Sequence, residues 1–143
     1  MTSPFENLAG PGKALRAEPP DANEFAGLQR MGLARLHDAQ KPGLALESQF
    51  DLAYNAAHAL CLAALRWHGY RSENRFTVFQ CLAHTVNWPP ARWRVLDAAH
   101  QKRNLAEYEG YLEVEEATIS EMSTLAAQLI ADVRTWIGQA TSP

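Results

Sequence analysis

The sequence predicts an all-α protein, folded as an antiparallel up-and-down bundle of four to five helices. Alanine and leucine supply 41 of the 143 residues, whereas the β-branched residues valine and isoleucine supply only 8. Unbranched side chains lose little rotamer freedom in a helix, and β-branched side chains lose more. Apolar residues also recur at three- and four-residue steps, which is the helical period. Proline and glycine separate these segments at short intervals, so consecutive helices are expected to be antiparallel.

Five helices are predicted, and their ends follow from capping and breaking residues. They are expected over about 21–40, 43–68, 74–86, 90–109 and 114–137. Asp21 can cap the first helix, because its side chain can accept hydrogen bonds from free backbone N–H groups. Gly69 ends the second, which has the longest apolar stripe, and Gly110 interrupts the fourth. Pro90 can open the fourth helix, since proline is tolerated in a first turn.

The N-terminal 20 residues differ from the rest in composition. They contain four prolines and two glycines, which favour extended backbone over helix. We therefore expect a flexible arm over 1–20 and a single helical domain over 21–138.

Composition excludes several classes of protein. No apolar run approaches the ~20 residues that cross a bilayer, and the N-terminus lacks the basic start and apolar core of a secretory signal. Cys61 and Cys81 lie in apolar helical contexts, which favours buried reduced thiols in a cytoplasmic protein. Because neither ExxH nor HExxH occurs, no metal or other cofactor is predicted.

Charge is distributed unevenly along the chain. The net charge is −3, but residues 66–103 hold seven basic and two acidic groups, a net +5. Such polarisation can attract a polyanion to one surface while the remainder repels it. The alternative is that these arginines are simply solvated side chains at the ends of helices, with no anion to bind. The stretch 107–121 carries six carboxylates and no basic group, which is typical of a solvated helix start or of an acidic surface for a basic partner.

Two predicted helices carry polar stripes that are unusual for a bundle. On the fourth helix, six polar residues fall within about 140° of arc at 100° per residue. They are Asp97, His100, Arg103, Asn104, Glu107 and Tyr108. On the second helix, Asp51, Asn55 and His58 share one face. Since buried polar groups cost free energy unless they are paired, we expect the two stripes to meet, inside the bundle or across a dimer.

Residues 103–111, RNLAEYEGY, together with the upstream segment FDLAYNAAHALCLAALRWHGYRSENRFTVFQ (50–80), resemble a HEPN domain. HEPN domains are helical bundles associated with minimal nucleotidyltransferases and with toxin, defence and RNA-processing systems. Arg103 and Asn104 match the first two positions of the family motif, whereas Tyr108 stands where ribonuclease members place histidine. The resemblance implies that the arginine binds the scissile phosphate and that the histidine helps to activate the 2′-hydroxyl.

A tyrosine at position 108 is less suited to proton transfer than the histidine of the family motif. An imidazole suits proton transfer because its pKa lies near neutrality, whereas a tyrosine has a pKa near 10 and is a poor base. It can still donate a hydrogen bond to phosphate or stack on a base. His100 and His58 are the residues that could replace the missing imidazole.

The candidate site residues follow from the motif and the polar stripes. The catalytic candidates are Arg103, Tyr108, His100 and His58. The nucleotide- or RNA-binding candidates are Arg103, Asn104, Tyr108, Tyr111 and Lys102. The structural alternative for Arg103 is an ion pair with Glu107, one helical turn away.

The expected function is a HEPN-like nucleotide- or RNA-binding module, with metal-independent RNA cleavage left open. The alternative is a non-catalytic interaction or dimerisation protein of a toxin–antitoxin-like or nucleotidyltransferase-paired system. The resemblance implies a homodimer, RNA or a nucleotide as ligand and a small nucleotidyltransferase as partner. Association with a membrane is not expected.

Overall fold

The computed structural model describes residues 14–110 and 113–141, together with Phe5 and Ala9; side chains of the last helix are described as far as Val133. The helices are α1 (Ala22–Ala39), α2 (Leu46–Trp67), α3 (Arg75–Gln80), α4 (Leu82–Thr85), α5 (Pro90–Glu109) and α6 (Glu116–Thr141). Two short strands, β1 (Arg16–Ala17) and β2 (Tyr70–Arg71), form an antiparallel pair. The predicted all-α class is confirmed.

The ends of the helices follow the local sequence. Asp21 caps α1, because its Oδ1 accepts hydrogen bonds from the backbone N–H groups of Asn23 (2.8 Å) and Glu24 (3.0 Å). Helix α5 spans the predicted 90–109, and Gly110 ends it in the left-handed conformation with φ 80°. The single helix expected over 74–86 is instead two short helices, because the backbone tightens at Cys81 with ψ −14°.

Helix α2 is the centre of the bundle. Twelve of its 22 residues are buried, and it contacts α1, α3, α5 and α6. Arg66, near its C-terminal end, bonds to Glu24 in the first turn of α1, so the two helices are antiparallel. Helix α5 is also antiparallel to α2, since α5 residues 100 and 103 contact α2 residues 54 and 51, respectively.

The described residues of the N-terminal segment lie against the bundle, although their composition predicted an arm outside the core. Leu15 is fully buried, and the Phe5 ring stacks on Tyr70 with 4.9 Å between the centroids. The backbone N–H of Glu18 donates to the carbonyl oxygen of Gly69 at 2.9 Å. Extended backbone at this point brings the few apolar side chains of the segment to one end of the core.

Two arginines and two glutamates tie this segment to the bundle, and we call Glu18, Glu24, Arg66 and Arg71 the Arg66 cluster. Arg66 is 2% exposed, yet it bonds to the Glu24 carboxylate and donates to the carbonyl oxygens of Glu18 (3.0 Å), Pro19 (2.7 Å) and Tyr70 (3.3 Å). Arg71 bonds to both carboxylates. These arginine bonds lower the pKa of Glu18 and Glu24. The cluster thus provides hydrogen-bond acceptors for the buried guanidinium, and these bonds fix the loop before α1 against the bundle.

Cys61 and Cys81 are buried and unpaired, as the sequence predicted. Burial raises the pKa of both thiols, that of Cys81 to about 11. None of the helices in the described ranges combines the length and apolar character that a membrane crossing requires.

Candidate anion-binding site

The predicted polar stripes of α2 and α5 meet inside the protein. We call the group that forms there the Tyr54 cluster. It consists of Asp51, Tyr54 and His58 from α2, Arg75 from the start of α3, and His100, Arg103 and Asn104 from α5. On α2 the residues are separated by three, four or seven positions, and on α5 Arg103 and Asn104 follow His100 by three and four positions, which places each set on one face. The antiparallel packing of α2 and α5 then brings the two faces together.

Tyr54 lies at the centre of the cluster and is fully buried. Arg75 donates from Nη1 to the Tyr54 hydroxyl at 3.0 Å, and the hydroxyl lies 3.0 Å from Nδ1 of His100. The other ring nitrogen of His100, Nε2, lies 3.2 Å from Nδ2 of Asn104. A chain of hydrogen bonds therefore runs from α3 through α2 to α5 and orients the His100 ring. Burial raises the pKa of Tyr54 despite the bond from Arg75, so this hydroxyl stays neutral.

Both histidines of the cluster are held in the neutral form. Burial, followed by the charge of Arg75, lowers the pKa of His58 to about 4. The pKa of His100 is also lowered by burial and by Arg75, and the nearby Asp97 opposes this effect. Both rings contact Phe79, with centroid separations of 5.9 Å for His58 and 6.4 Å for His100. Neutral imidazoles can accept a proton, which is the property that RNA cleavage without a metal requires.

Arg103 lies at the solvent edge of the cluster. Its Nε is 3.3 Å from Oδ1 of Asp51, and the two side chains are 30% and 52% exposed. Its guanidinium carbon lies 5.4 Å from the centroid of the Tyr54 ring. The carboxylate beside Arg103 is thus Asp51 on α2, and not Glu107 on its own helix, which was the predicted structural alternative.

The structure separates the other candidates from this cluster. Tyr108 is 90% exposed, and Lys102 is also exposed. Tyr111 lies outside the described residues. Trp93, Leu96 and Ala99 are the buried residues of α5, and all three lie in its first half. Residues 107–109 of α5 are exposed, and among the described residues no hydrogen bond or ring contact joins Tyr108 to the cluster.

Sequence analysis missed two residues of the cluster. Tyr54 lies three positions after Asp51 and four before His58, so the same face of α2 could have indicated it. Arg75 entered the sequence-based prediction only as one of the seven basic residues in the segment 66–103. No signal in the sequence indicates that the start of α3 lies against the middle of α2.

Among the described residues, no three or more histidine, cysteine, aspartate or glutamate side chains are placed to hold a metal ion. Comparisons with protein-family models, with curated proteins and with solved structures found no match to this chain. The functional interpretation therefore depends on the geometry of the Tyr54 cluster.

Proposed function

We propose that this protein is a HEPN-like module that binds RNA or a nucleotide, with Arg103 as the residue that binds a phosphate group. One observation carries the proposal. Arg103 stands at the exposed edge of a buried polar cluster, where a single, half-exposed carboxylate contacts it. The guanidinium is held against the Tyr54 ring, so it is positioned before a ligand arrives.

A phosphate can compete with Asp51 for this guanidinium. An exposed ion pair with one contact at 3.3 Å contributes up to about 1 kcal/mol. A charge-assisted hydrogen bond to a phosphate contributes about 1.5–3 kcal/mol, and the fork of arginine can form two such bonds. The exchange is therefore favourable, and the net +5 of residues 66–103 supports it by attracting an anion.

RNA cleavage is a separate part of the proposal, and it needs a proton carrier. Tyr108 is 90% exposed, so neither burial nor a neighbouring group is in place to make its hydroxyl a base. His100 fits better, because it is neutral, oriented by Tyr54, and one turn from Arg103 on the same helix. Its Nδ1 contacts the Tyr54 hydroxyl and its Nε2 contacts Asn104. The ligand would therefore displace Asn104, and Nε2 would then accept the proton of a 2′-hydroxyl while Arg103 holds the neighbouring phosphodiester.

A homodimer through the second half of α5 belongs to the same proposal. Leu105 and Tyr108 are 55% and 90% exposed on this half. Basic Lys102 and acidic Glu109 lie on the same side of α5 as Leu105, so an antiparallel pair of α5 helices places opposite charges across a two-fold axis near Leu105. Arg103 lies about 160° around the helix from Leu105, so it stays against Tyr54 of its own chain and outside this interface.

The same surface favours a second candidate, the non-catalytic interaction protein. In that case the exposed half of α5 binds a protein partner, such as a small nucleotidyltransferase, and Arg103 with Asp51 only orients the helix. Leu105→Ser would then weaken dimer or partner association while RNA binding, if present, remained unchanged. Sedimentation equilibrium of the wild type and of this variant measures the difference.

The decisive test is RNA binding and cleavage in EDTA, measured for the wild type and for Arg103→Ala. We expect Arg103→Ala to weaken binding by about 1.5–3 kcal/mol. Arg30→Ala is the matched control, because Arg30 is an exposed arginine on α1, outside the Tyr54 cluster. Equal binding by all three proteins would contradict the proposal. If the wild type cleaves RNA and both Arg103→Ala and His100→Ala do not, the proposed function would include ribonuclease activity as well as binding.

A further inference from the structure

We infer that Arg75 is a second phosphate-binding residue, and that it holds the same phosphate ester of a nucleotide strand as Arg103. This inference rests on the proposed function and identifies how the ligand is held. It concerns a residue that the HEPN-like motif at 103–111 does not include.

The geometry places the two guanidinium groups around one aromatic ring. The guanidinium carbon of each arginine lies 5.4 Å from the centroid of Tyr54. Twice that distance, about 11 Å, is the largest separation the two carbons can have. Arg75 uses one of its donors on the Tyr54 hydroxyl, and in the described part of the chain no carboxylate lies within 4.0 Å of it. Several N–H groups of its fork are therefore left for a ligand.

Arg75 has no ion-pair partner among the described residues, and the one further carboxylate near the cluster, Asp97, acts on His100. Tyr54, His58 and His100 are all neutral at pH 7, because the pKa of Tyr54 is raised and those of the two histidines are lowered. Asp51 contacts Arg103 only through a single hydrogen bond. A half-buried cation without a counter-charge is unfavourable, and a bound anion removes that cost.

The Arg66 cluster shows how this protein treats two neighbouring arginines in a structural role. There Arg66 and Arg71 share two carboxylates, Glu18 and Glu24, and each carboxylate contacts both arginines. In the Tyr54 cluster only one carboxylate lies within ion-pair distance of either arginine, and it contacts only Arg103; Asp97, close to His100, pairs with neither. The missing negative charge is what a phosphate ester would supply, through oxygens that can accept bonds from both forks.

The neighbouring surface favours a phosphate that carries a base. Phe76 follows Arg75 in the chain, is 42% exposed, and meets the Trp93 ring edge-on at 5.9 Å. The buried Trp93 lies two turns, or about 10 Å, before His100 on the same face of α5, and the exposed Phe76 ring packs against it. An exposed aromatic side chain in this position can stack on an unpaired base.

The test measures affinity and its salt dependence for a fluorescein-labelled single-stranded oligoribonucleotide. The proteins are the wild type, Arg75→Ala, Arg75→Lys and Arg92→Ala. Arg92 is the matched control, because it also lies close to an aromatic ring and belongs to the basic segment, but its ring is Trp88, at 5.1 Å, outside both the Tyr54 cluster and the Phe76–Trp93 contact. A mononucleotide and inorganic phosphate serve as competitors, which distinguishes a strand from a free nucleotide as the ligand.

We expect Arg75→Ala to weaken binding about 10- to 100-fold, as the loss of a charged phosphate contact predicts. The slope of log K against log salt should fall by about 0.7, the value for one phosphate of a single strand. Arg75→Lys should lie between Arg75→Ala and the wild type, since it keeps the charge without the fork. Thermal melting shows whether each variant is folded, and a purely structural role for Arg75 would lower the melting temperature while the salt slope stayed unchanged.

The outcomes separate this inference from the proposed function. Loss of binding in Arg103→Ala, with full affinity and an unchanged salt slope in Arg75→Ala, would overturn the inference and leave the proposed function standing. Wild-type affinity in both variants would overturn both. An equal loss in Arg92→Ala and Arg75→Ala would also overturn the inference, because the effect would then belong to the basic segment as a whole.

Discussion

Replacing Arg66 by methionine tests whether the Arg66 cluster stabilises the fold through its hydrogen bonds. Methionine keeps an unbranched aliphatic side chain in the buried space but removes every donor. The Glu24 carboxylate then loses one of its two arginines, and three backbone carbonyl oxygens lose the donor that now reaches them. Because Arg66 is 2% exposed, water cannot replace these bonds without an opening of the structure.

The expected loss is about 1–3 kcal/mol in the free energy of unfolding, which is the cost of leaving buried acceptors without a donor, since Glu24 is 33% exposed and keeps its bond to Arg71. This is a large part of the 5–15 kcal/mol typical of a folded domain. Urea denaturation followed by circular dichroism measures it. Arg30→Met is the matched control, because Arg30 is exposed on α1, and its effect should stay within about 0.5 kcal/mol. A loss below about 1 kcal/mol for Arg66→Met would refute this explanation of the N-terminal contacts.

The same variant has a signature in its dependence on pH. Bonds from arginine lower the pKa of Glu18 and Glu24 below their ordinary value of 4.5. These groups therefore stabilise the wild type above about pH 4.5, and the stabilisation is lost as the pH falls through their lowered values. Since Arg66 is the largest cause of the shift at Glu24, acid should destabilise Arg66→Met less steeply. Parallel acid titrations of the two proteins would contradict the assignment.

Two further predictions concern the α1–α2 contact and the Tyr54 cluster. Gly32→Ala should destabilise the fold by about 1–3 kcal/mol in urea denaturation, because the new Cβ would lie 2.6 Å from Cγ of the buried Leu60. Gly27→Ala on the same helix meets only the end of a flexible arginine at 3.7 Å and should stabilise by up to about 1 kcal/mol, so equal effects would refute the close approach of the helices. In the cluster, His58 should titrate near pH 4 by NMR, and Arg75→Gln should raise its pKa part of the way toward 6.5, because burial is the larger cause. A wild-type His58 that titrates near 6.5 would contradict its place beside Arg75.

The sequence by itself determined the helices and the meeting of their polar stripes. Alanine-rich segments with three- and four-residue apolar spacing predicted the long helices, and Asp21, Pro90 and Gly110 marked ends that the structure places within a residue or two. These signals are local, because they depend on capping and backbone preference within one turn. The stripes on α2 and α5 were also predictable as partners, since a polar face in an apolar helix requires something to pair with.

Tertiary structure decided which residues make up the site. Tyr108 carried the motif in the sequence, yet it is 90% exposed, because the buried residues of α5 all lie in the first half of that helix. Arg75 carried no signal, yet it reaches Tyr54 because the loop after α2 returns α3 to the middle of that helix. The burial of Leu15 and the bonds of Arg66 likewise depend on an N-terminal segment that meets residues about 50 positions away. Contacts of this kind depend on the relative placement of whole helices, which no local pattern encodes.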